Sequence, residues 1–326
     1  MKHLKLIRGD CLGEISRMED NSLHAVCTDP PYGLIEFSPN EVAKLRAGKG
    51  GVWRLPPTMD GCTRSPLPRF SILTTKQKKD IETFFAKWAV LLLPKLRPGA
   101  HVLIAGNPTL QMYVQNAMTG NGLENRGTIL RVYHGFRGGD RPKNAEQEFP
   151  DVCVTPRGNY EPWMLFRKPI SEPTVADNLR RWETGGLRML SGGKPLPDVV
   201  PSFKTPAREK EFADHPSLKP QHFLRIVVRA LLPLGRGLIL DPFMGSGSTI
   251  AASIAVGYES MGIEIDPTFY SGAEQAIKPL SELYPGMTGE TLDYAETYDF
   301  ANEMQEQLVL MEEKGHYSTQ RIKRRV

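Results

Sequence analysis

The stretch LILDPFMGSGSTIAASIAVGYESMGIEID, residues 238–266, predicts the fold most directly. An apolar run ends in Asp241, a glycine-rich turn follows, and a helix of small residues leads to a second apolar run that ends at Glu264. Two strands joined by a helix in this way form a βαβ unit with parallel strands. Glycines at such a turn let the backbone approach a ligand, and the helix start offers free N–H groups. The pattern predicts a nucleotide-type cofactor site in an α/β protein.

The turn and the acid after it narrow the kind of cofactor. A Walker A loop is excluded, because GSGST, residues 245–249, lacks the lysine that meets a phosphate. A pyrophosphate-binding turn needs a third glycine, and Ile250 occupies that position. Glu264 follows Asp241 by 23 residues, where an acid accepts hydrogen bonds from ribose hydroxyls. S-adenosylmethionine has no phosphate and therefore suits a shorter turn beside a carboxylate. The alternative to a cofactor site is that the glycines serve tight packing alone.

The rest of the chain continues the alternation of apolar runs and amphipathic stretches, as in 86–96, 101–106 and 163–168. Strands separated by helices in this way indicate a doubly wound, mostly parallel α/β sheet. Two long segments, about 34–72 and 169–214, break the rhythm. Loops of this length in a compact domain are usually functional lids, binding inserts or disordered segments.

Composition sets only broad limits. The formal charge of +4 permits a polyanionic partner without requiring one. The four cysteines, Cys11, Cys27, Cys62 and Cys153, have no paired spacing, which argues against a zinc site and a disulfide framework. The start of the chain has no apolar leader pattern, and no run approaches the roughly 18 apolar residues of a membrane span. We therefore expect a cytoplasmic protein with reduced thiols, no bound metal and no membrane segment.

A second motif, TDPPYG at residues 28–33, follows a half-buried strand pattern. The exocyclic amine of a nucleobase is a poor nucleophile, because its lone pair is delocalised into the ring. The Asp29 carboxylate and the Pro30 carbonyl could accept its two N–H bonds and draw the nitrogen toward a tetrahedral shape, while Pro30 and Pro31 stiffen the turn. Tyr32 would then stack on the base. The alternative is an ordinary turn, since Asp, Pro and Gly are common turn formers.

Chemistry of this kind requires the base to leave the duplex. Flipping a nucleotide costs a few kcal/mol in unstacking and unpairing. Stacking on Tyr32 would recover part of that cost, since base–aromatic contacts are worth about 1–3 kcal/mol. The two motifs must also meet at one edge of the sheet, so that the methyl donor lies within reach of the base.

The order of the two motifs carries a family resemblance. DPPY followed by DPFMGSGST resembles the amino-methyltransferases of DNA modification systems, in the permuted beta group where the catalytic motif precedes the cofactor motif. The resemblance extends to residues 8–33, 91–106 and 215–233, and so covers about half of the chain. It implies a catalytic half (1–169), a small target-recognition insert (170–214) and a cofactor-binding half (215–290). The residue pattern after them predicts a C-terminal helix with a basic tail (291–326).

The resemblance also implies roles for individual residues. The Lys219–Pro220 pair would line the methionine end of the cofactor pocket, and Asp10 would lie near its adenine. A solvated surface lysine and an ordinary turn acid are the alternatives for Lys219 and Asp10. The predicted catalytic residues are Asp29, Pro30, Pro31 and Tyr32. The predicted S-adenosylmethionine-binding residues are Asp10, Lys219, Asp241, Pro242, Phe243, Gly245, Ser246, Gly247, Glu264 and Asp266.

The target is expected to be the N6 amine of adenine in double-stranded DNA. Members of the family that methylate cytosine at N4 more often have Ser at the first tetrad position, where this chain has Asp29. The alternatives are cytosine-N4 methylation, methylation of RNA or of a protein amide, and an inactive DNA-binding relative. A homodimer and a cognate restriction endonuclease are partners compatible with the resemblance.

DNA contacts are expected in three segments, two of which depart from the family pattern. The loop after DPPY, which contains Trp53, is longer than usual, and residues 126–168 are similar to the family only at their end, where its usual E-x-x-x-x-F-x-K pattern occurs. Basic side chains there could meet phosphates, unless nearby acids neutralise them. The predicted DNA-binding residues are Trp53, Arg137, Arg141, Lys143, Arg180, Arg181 and Arg188.

Overall fold

A mixed sheet with helices packed against it forms the body of the protein. The computed structural model describes residues 4–33, 58–59, 62–63, 73–132, 142, 144–145, 147–156, 158–213 and 218–292. Its strands are β1 (Leu4–Arg8), β2 (Leu23–Thr28), β3 (Thr58–Met59), β4 (Cys62–Thr63), β5 (Leu96–Ala105), β6 (Glu124–Val132), β7 (Tyr160–Arg167), β8 (Val199–Pro201), β9 (Leu238–Asp241) and β10 (Glu259–Glu264). Its helices are α1 (Cys11–Ser16), α2 (Thr75–Leu92), α3 (Gln111–Gly120), α4 (Val175–Trp182), α5 (Ala207–Lys210), α6 (Gln221–Leu231), α7 (Ser248–Ala255) and α8 (Pro267–Glu282).

Within the described residues, eight strands share one sheet in the order β1-β10-β9-β2-β5-β7-β6-β8, and β3 and β4 pair separately. The first five strands of that order are parallel, β7 runs antiparallel to both of its neighbours, and β8 is parallel to β6. A mostly parallel sheet buries both faces, which explains why nearly every residue of β2, β5 and β7 is buried. The predicted doubly wound α/β fold is confirmed.

The winding of the chain changes direction between β9 and β2. From β2 the chain passes through α2 to β5 on one side, and from β9 it passes through α7 to β10 on the other. Because such crossovers are almost always right-handed, opposite directions place the two helices on opposite faces. The contacts between helices support this arrangement: α1, α2 and α3 pack together, and α6, α7 and α8 pack together. Ligands of open α/β sheets bind at the carboxyl ends of the strands at such a switch point.

Helix α2 shows how the sequence builds one of these faces. Thr74 and Gln77 form a reciprocal capping box that satisfies free N–H groups at the start of the helix. Apolar residues then recur every three or four positions and face the sheet. The buried residues of this helix are Ile81, Phe85, Trp88, Ala89 and Leu92.

The segment 170–214, predicted as a target-recognition insert, packs directly on the sheet. Asn178 of α4 donates from Nδ2 to the carbonyls of Pro98 (2.8 Å) and Thr184 (2.7 Å), and Pro98 lies near the start of β5. Strand β8 adds to the edge of the same sheet beside β6. By contacts, Met1–Glu290 forms one compact unit, which includes this segment. Its role in target recognition stays a prediction.

Two further findings concern the described part of the chain. No helix there combines the length and the apolar character needed to cross a membrane. The thiols of Cys11, Cys27 and Cys153 are free, and the first two are buried.

Candidate active site

The two motifs meet at the carboxyl edge of the sheet, where the parallel strands end. Strands β2 and β9 are neighbours, with Val26 opposite Leu240. The Thr28 hydroxyl donates to Asp241 Oδ1 at 2.6 Å, a bond between residues 213 positions apart in the chain. The DPPY tetrad therefore begins beside the residue that opens the glycine-rich turn. This confirms the predicted meeting of the two motifs.

The glycine-rich turn is held by the acid at the end of β10. Gly245 and Gly247 have φ angles of +52° and +82°, which side chains other than glycine adopt at a cost. Glu264 accepts from the N–H of Gly245 through one carboxylate oxygen (2.8 Å) and from the N–H of Asp266 through the other (2.8 Å). A Cβ at Gly247 would overlap the side chain of Ile277 in α8. Close packing against Ile277 thus requires a glycine at position 247, whereas the positive φ of the turn favours a glycine at position 245.

Asp241 provides a buried carboxylate at the same place. It accepts from Thr28 and from the N–H of Phe243 (3.2 Å), and burial raises its pKa to about 7. The Phe243 ring lies 6.1 Å from that of Phe84 and 6.2 Å from that of Trp88, measured between centroids. The glycine-rich turn and the helix start offer backbone N–H groups to acceptor atoms of a ligand, whereas the buried Asp241 carboxylate disfavours a phosphate and attracts an ammonium group. The residues present therefore fit S-adenosylmethionine.

On the other side of the Thr28–Asp241 bond, two buried and two partly buried polar side chains form a cluster. We call Asp29, Tyr32, Glu161 and Lys219 the amine cluster. The Lys219 ammonium pairs with Asp29 Oδ2 and lies 3.4 Å from Glu161 Oε1. The Tyr32 hydroxyl donates to the same Glu161 oxygen at 2.7 Å, and the ammonium lies 5.8 Å from the centre of the Tyr32 ring. Two carboxylates thus share one ammonium and one phenol.

The electrostatics fix the charge states in the amine cluster. Burial alone would raise the pKa of Glu161, but the cations of Lys219 and Arg131 lower it to about 2. Burial alone would lower the pKa of Lys219, but the carboxylates of Asp29 and Glu161 raise it above its ordinary value. Burial, reinforced by the same two carboxylates, raises the pKa of Tyr32 well above its ordinary value. Lys219 is therefore a cation and Glu161 an anion near neutral pH.

Glu161 and Arg131 were not predicted from the sequence as site residues. Arg131 lies opposite Glu161 on the paired strands β6 and β7 and donates to its Oε2 from Nη1 at 3.0 Å. Arg131 also donates to the Ser202 hydroxyl (2.9 Å) and to the Phe203 carbonyl (2.7 Å), just after β8. The signal that could have found them is a charged residue inside an apolar strand, since such residues are seldom buried unless paired.

The structure places the remaining predicted cofactor residues around the same edge. Asp10, just after β1, caps α1 by accepting from the Gly13 N–H at 2.9 Å. Asp266 caps α8 by accepting from the N–H groups of Thr268 (2.7 Å) and Phe269 (3.1 Å). Pro242 and Ser246 are buried within the turn. Lys219, predicted to line the cofactor pocket, has its ammonium in the amine cluster.

The described arginines among the predicted DNA contacts lie elsewhere. Arg180 and Arg181 are on α4, at the edge where the parallel strands begin, and they pair with Asp177 (2.6 Å) and Glu172 (2.9 Å). Arg188 donates to the hydroxyl of Tyr258, which immediately precedes β10, so it is at that edge as well. The structure does not bring these three to the amine cluster. The other predicted DNA contacts, Trp53, Arg137, Arg141 and Lys143, lie outside the described residues.

Comparison with known proteins identifies the family. A family model described as DNA methylase, for N6 and N4 methyltransferases, matches residues 23–275. The chain belongs to this DNA methylase family. It is therefore an S-adenosylmethionine-dependent DNA methyltransferase of restriction-modification type, as the two motifs predicted.

Relatives of this DNA methylase match it over most of their length. The type II methyltransferase M.HindIII of Haemophilus influenzae is 21% identical over 294 residues, with 82% of this chain and 92% of the relative covered. The type II methyltransferase M2.DpnII of Streptococcus pneumoniae is 23% identical over 277 residues, with 85% and 90% covered.

Solved structures share the fold of the DNA methylase. The M1.HpyAVI complex with S-adenosylmethionine superposes with a TM-score of 0.50 at 15% identity, covering 84% of this chain and 98% of that one. The cytosine-N4-specific PvuII DNA methyltransferase gives a TM-score of 0.54 at 12% identity, covering 89% and 94%. At these identities the likeness concerns the fold alone.

Proposed function

We propose that this DNA methylase transfers a methyl group to the N6 amine of adenine in duplex DNA, after the adenine has been flipped out of the helix. The observation that carries the proposal is the Thr28–Asp241 bond, which holds the DPPY tetrad beside the glycine-rich turn. Adenine is preferred because the first tetrad residue is Asp29. Cytosine N4 is the alternative, since the same pair of acceptors fits either exocyclic amine.

The residues of the chain divide the work as follows. S-adenosylmethionine, held by the turn at 242–247 with Asp241 and Glu264, supplies an electrophilic methyl group. Asp29 and the Pro30 carbonyl accept the two N–H bonds of the target amine and make its lone pair available. Tyr32 supports the base by stacking.

Proton transfer is assigned to Asp29. The methylated amine must lose one proton, and a group that already carries its proton cannot accept it. Lys219 is protonated, because the carboxylates of Asp29 and Glu161 raise its pKa. Asp29, in direct hydrogen-bonding reach of the amine, takes the proton and passes it to solvent when the product leaves.

Nucleoside analysis tests the proposed target directly. Unmethylated duplex DNA incubated with the protein and S-adenosylmethionine is expected to yield N6-methyladenine after digestion and mass spectrometry. Reactions without the cofactor, and with RNA or peptide in place of DNA, are the controls. N4-methylcytosine as the product would overturn the choice of base, and faster methylation of RNA or peptide would overturn the choice of polymer.

The affinity for S-adenosylmethionine is expected to fall as the pH drops below 7. The pKa of Asp241 is about 7, and only its ionised form attracts the ammonium group of the cofactor. Binding should weaken by up to about tenfold for each pH unit below that value. Calorimetric measurement of Kd between about pH 5.5 and 7.5 checks this, over a range in which an α-amino group stays largely protonated.

Two variants test whether Asp241 causes the pH dependence of cofactor binding. Asp241→Asn should bind weakly with a flat pH profile. Glu209→Gln should keep the slope of the parent, although burial also raises the pKa of Glu209 to about 7. A parent Kd that stays constant over the range would show that Asp241 does not contact the ammonium group.

A further inference from the structure

Glu161 connects the amine cluster to the sheet. Its Oε1 faces the cluster, where Tyr32 donates at 2.7 Å and the Lys219 ammonium lies at 3.4 Å. Its Oε2 faces the strands, where Arg131 donates at 3.0 Å and Trp163 donates from Nε1 at 3.1 Å. The side chain is only 10% exposed. One oxygen of Glu161 therefore contacts the amine cluster, and the other contacts side chains of the sheet.

The partners of Glu161 Oε2 lie on two paired strands of the sheet. Glu161 and Trp163 are two positions apart on β7 and so project from the same face of the sheet, and Arg131 is the cross-strand partner on β6. Tyr32 and Lys219, in contrast, lie in connecting segments, after β2 and before α6 respectively. Groups in loops reach a productive geometry when side chains locked on strands hold them. Glu161 is such a holding group for both.

Charge balance gives Glu161 a second effect. Asp29 and Glu161 carry two negative charges, and Lys219 and Arg131 carry two positive ones. With Glu161 present, the Lys219 ammonium has two carboxylates within 4 Å, so Asp29 does not hold it alone. Asp29 must exchange this ion pair for hydrogen bonds to the target amine, and a second acceptor for the ammonium lowers the cost of that exchange.

We propose that Glu161 is a positioning residue for methyl transfer, which orients the Tyr32 ring for the target base and accepts the Lys219 ammonium when the amine engages Asp29. The inference rests on the proposed function. A purely structural role, as counter-ion of Arg131, is the competing account. The two accounts differ in what they predict for the chemical step and for Tyr32.

A double-mutant cycle tests the positioning role. Glu161→Gln is expected to slow single-turnover methyl transfer to duplex DNA at least tenfold at saturating cofactor, with the cofactor Kd within about twofold of the parent. Tyr32→Phe, which keeps the ring and loses the hydroxyl, should slow the reaction less. Glu161→Gln keeps a single acceptor oxygen, which we expect to stay with the strand donors Arg131 and Trp163, so that the NH2 group faces Tyr32 and the bond to its hydroxyl is lost. Because Tyr32→Phe breaks the same bond, the double variant should be clearly faster than the product of the two single effects predicts.

Glu124→Gln is the matched control. Glu124 and Arg167 are cross-strand partners on the same two strands at the opposite edge, with Arg167 Nε donating to Glu124 at 2.8 Å. This variant also removes a carboxylate that pairs with an arginine across β6 and β7. Its rate of methyl transfer should stay within about twofold of the parent's. Unfolding temperatures of all variants separate loss of the fold from loss of the chemical step.

The outcomes are distinct. An active parent with a Glu161→Gln rate within threefold of it, or with rate losses that multiply in the double variant, would overturn the positioning role. If Glu161→Gln does not fold, a Tyr32→Phe rate equal to the parent's would overturn the tyrosine part of the proposal, and a slower rate would support it. A parent that methylates no DNA would overturn the proposed function itself.

Discussion

Asp29→Ala is expected to lower kcat for DNA methylation by about 10²- to 10⁴-fold, while the Kd for S-adenosylmethionine stays within about threefold of the parent's. The variant removes an acceptor for the target amine and the group that takes its proton. The cofactor turn stays intact, because the Thr28–Asp241 bond does not involve Asp29. Lys219 keeps Glu161 as a partner at 3.4 Å, so the fold should survive. Steady-state kinetics measures kcat, and calorimetry measures Kd.

Asp20→Ala is a matched control for Asp29→Ala. Asp20 also pairs with a lysine, Lys95, at 2.7 Å, but it is 63% exposed and lies near the edge of the sheet where β2 and β5 begin. Loss of this surface pair should change kcat by less than about twofold. Turnover by Asp29→Ala close to that of the parent would refute the catalytic assignment.

Gly245→Val is expected to weaken S-adenosylmethionine binding by roughly 10- to 100-fold or more, because overpacking of a tight site costs about 1–3 kcal/mol. Gly245 has a φ of +52°, where a β-branched residue is strained, and its N–H donates to Glu264 at 2.8 Å. A valine there would fill the space that the backbone leaves for the cofactor and disturb that bond. Calorimetry with the purified variant measures the loss.

Gly257→Val separates backbone strain from loss of the site. Gly257 has a φ of +84° and lies between α7 and β10, at the edge opposite the turn, with no atom within 4 Å of an added Cβ. This variant should lose stability through strain and still bind the cofactor with nearly the parent affinity. Equal cofactor affinity of Gly245→Val and the parent would remove the turn from the cofactor site.

The meeting of the two motifs could be predicted from the sequence because each follows an apolar strand. Parallel strands end at the same edge of a sheet, so residues that follow them, such as Asp29 and Asp241, converge there. The chemistry of each motif could also be predicted from its own residues. Glycines permit the turn, and Asp-Pro-Pro-Tyr offers hydrogen-bond acceptors for an amine and a ring for stacking. Local pattern and global topology agree at this site.

Glu161 and the position of α4 could not be predicted in the same way. The contact between Glu161 and Arg131 depends on the register of two antiparallel strands, β6 and β7. A long connection joins these strands, and its sequence does not allow the register to be predicted. Arg180 and Arg181 looked suitable for DNA because of their charge. Their place on the opposite edge follows from the packing of Asn178 on Pro98, a contact between distant residues that no local pattern announces.

The interleaving of early and late strands has a consequence for biosynthesis. Strand β1 pairs with β10, with Leu4 opposite Ser260, and β2 pairs with β9, with Ala25 opposite Ile239. A chain emerging from the ribosome therefore leaves β1 unpaired, and one edge of β2 open, until more than 200 further residues have been added. Long-range pairing of this kind slows folding and leaves such edges open to aggregation. It also means that a nascent chain that ends before Glu264 cannot place the methyl donor beside a base, because β9, the glycine-rich turn and β10 have not all been made.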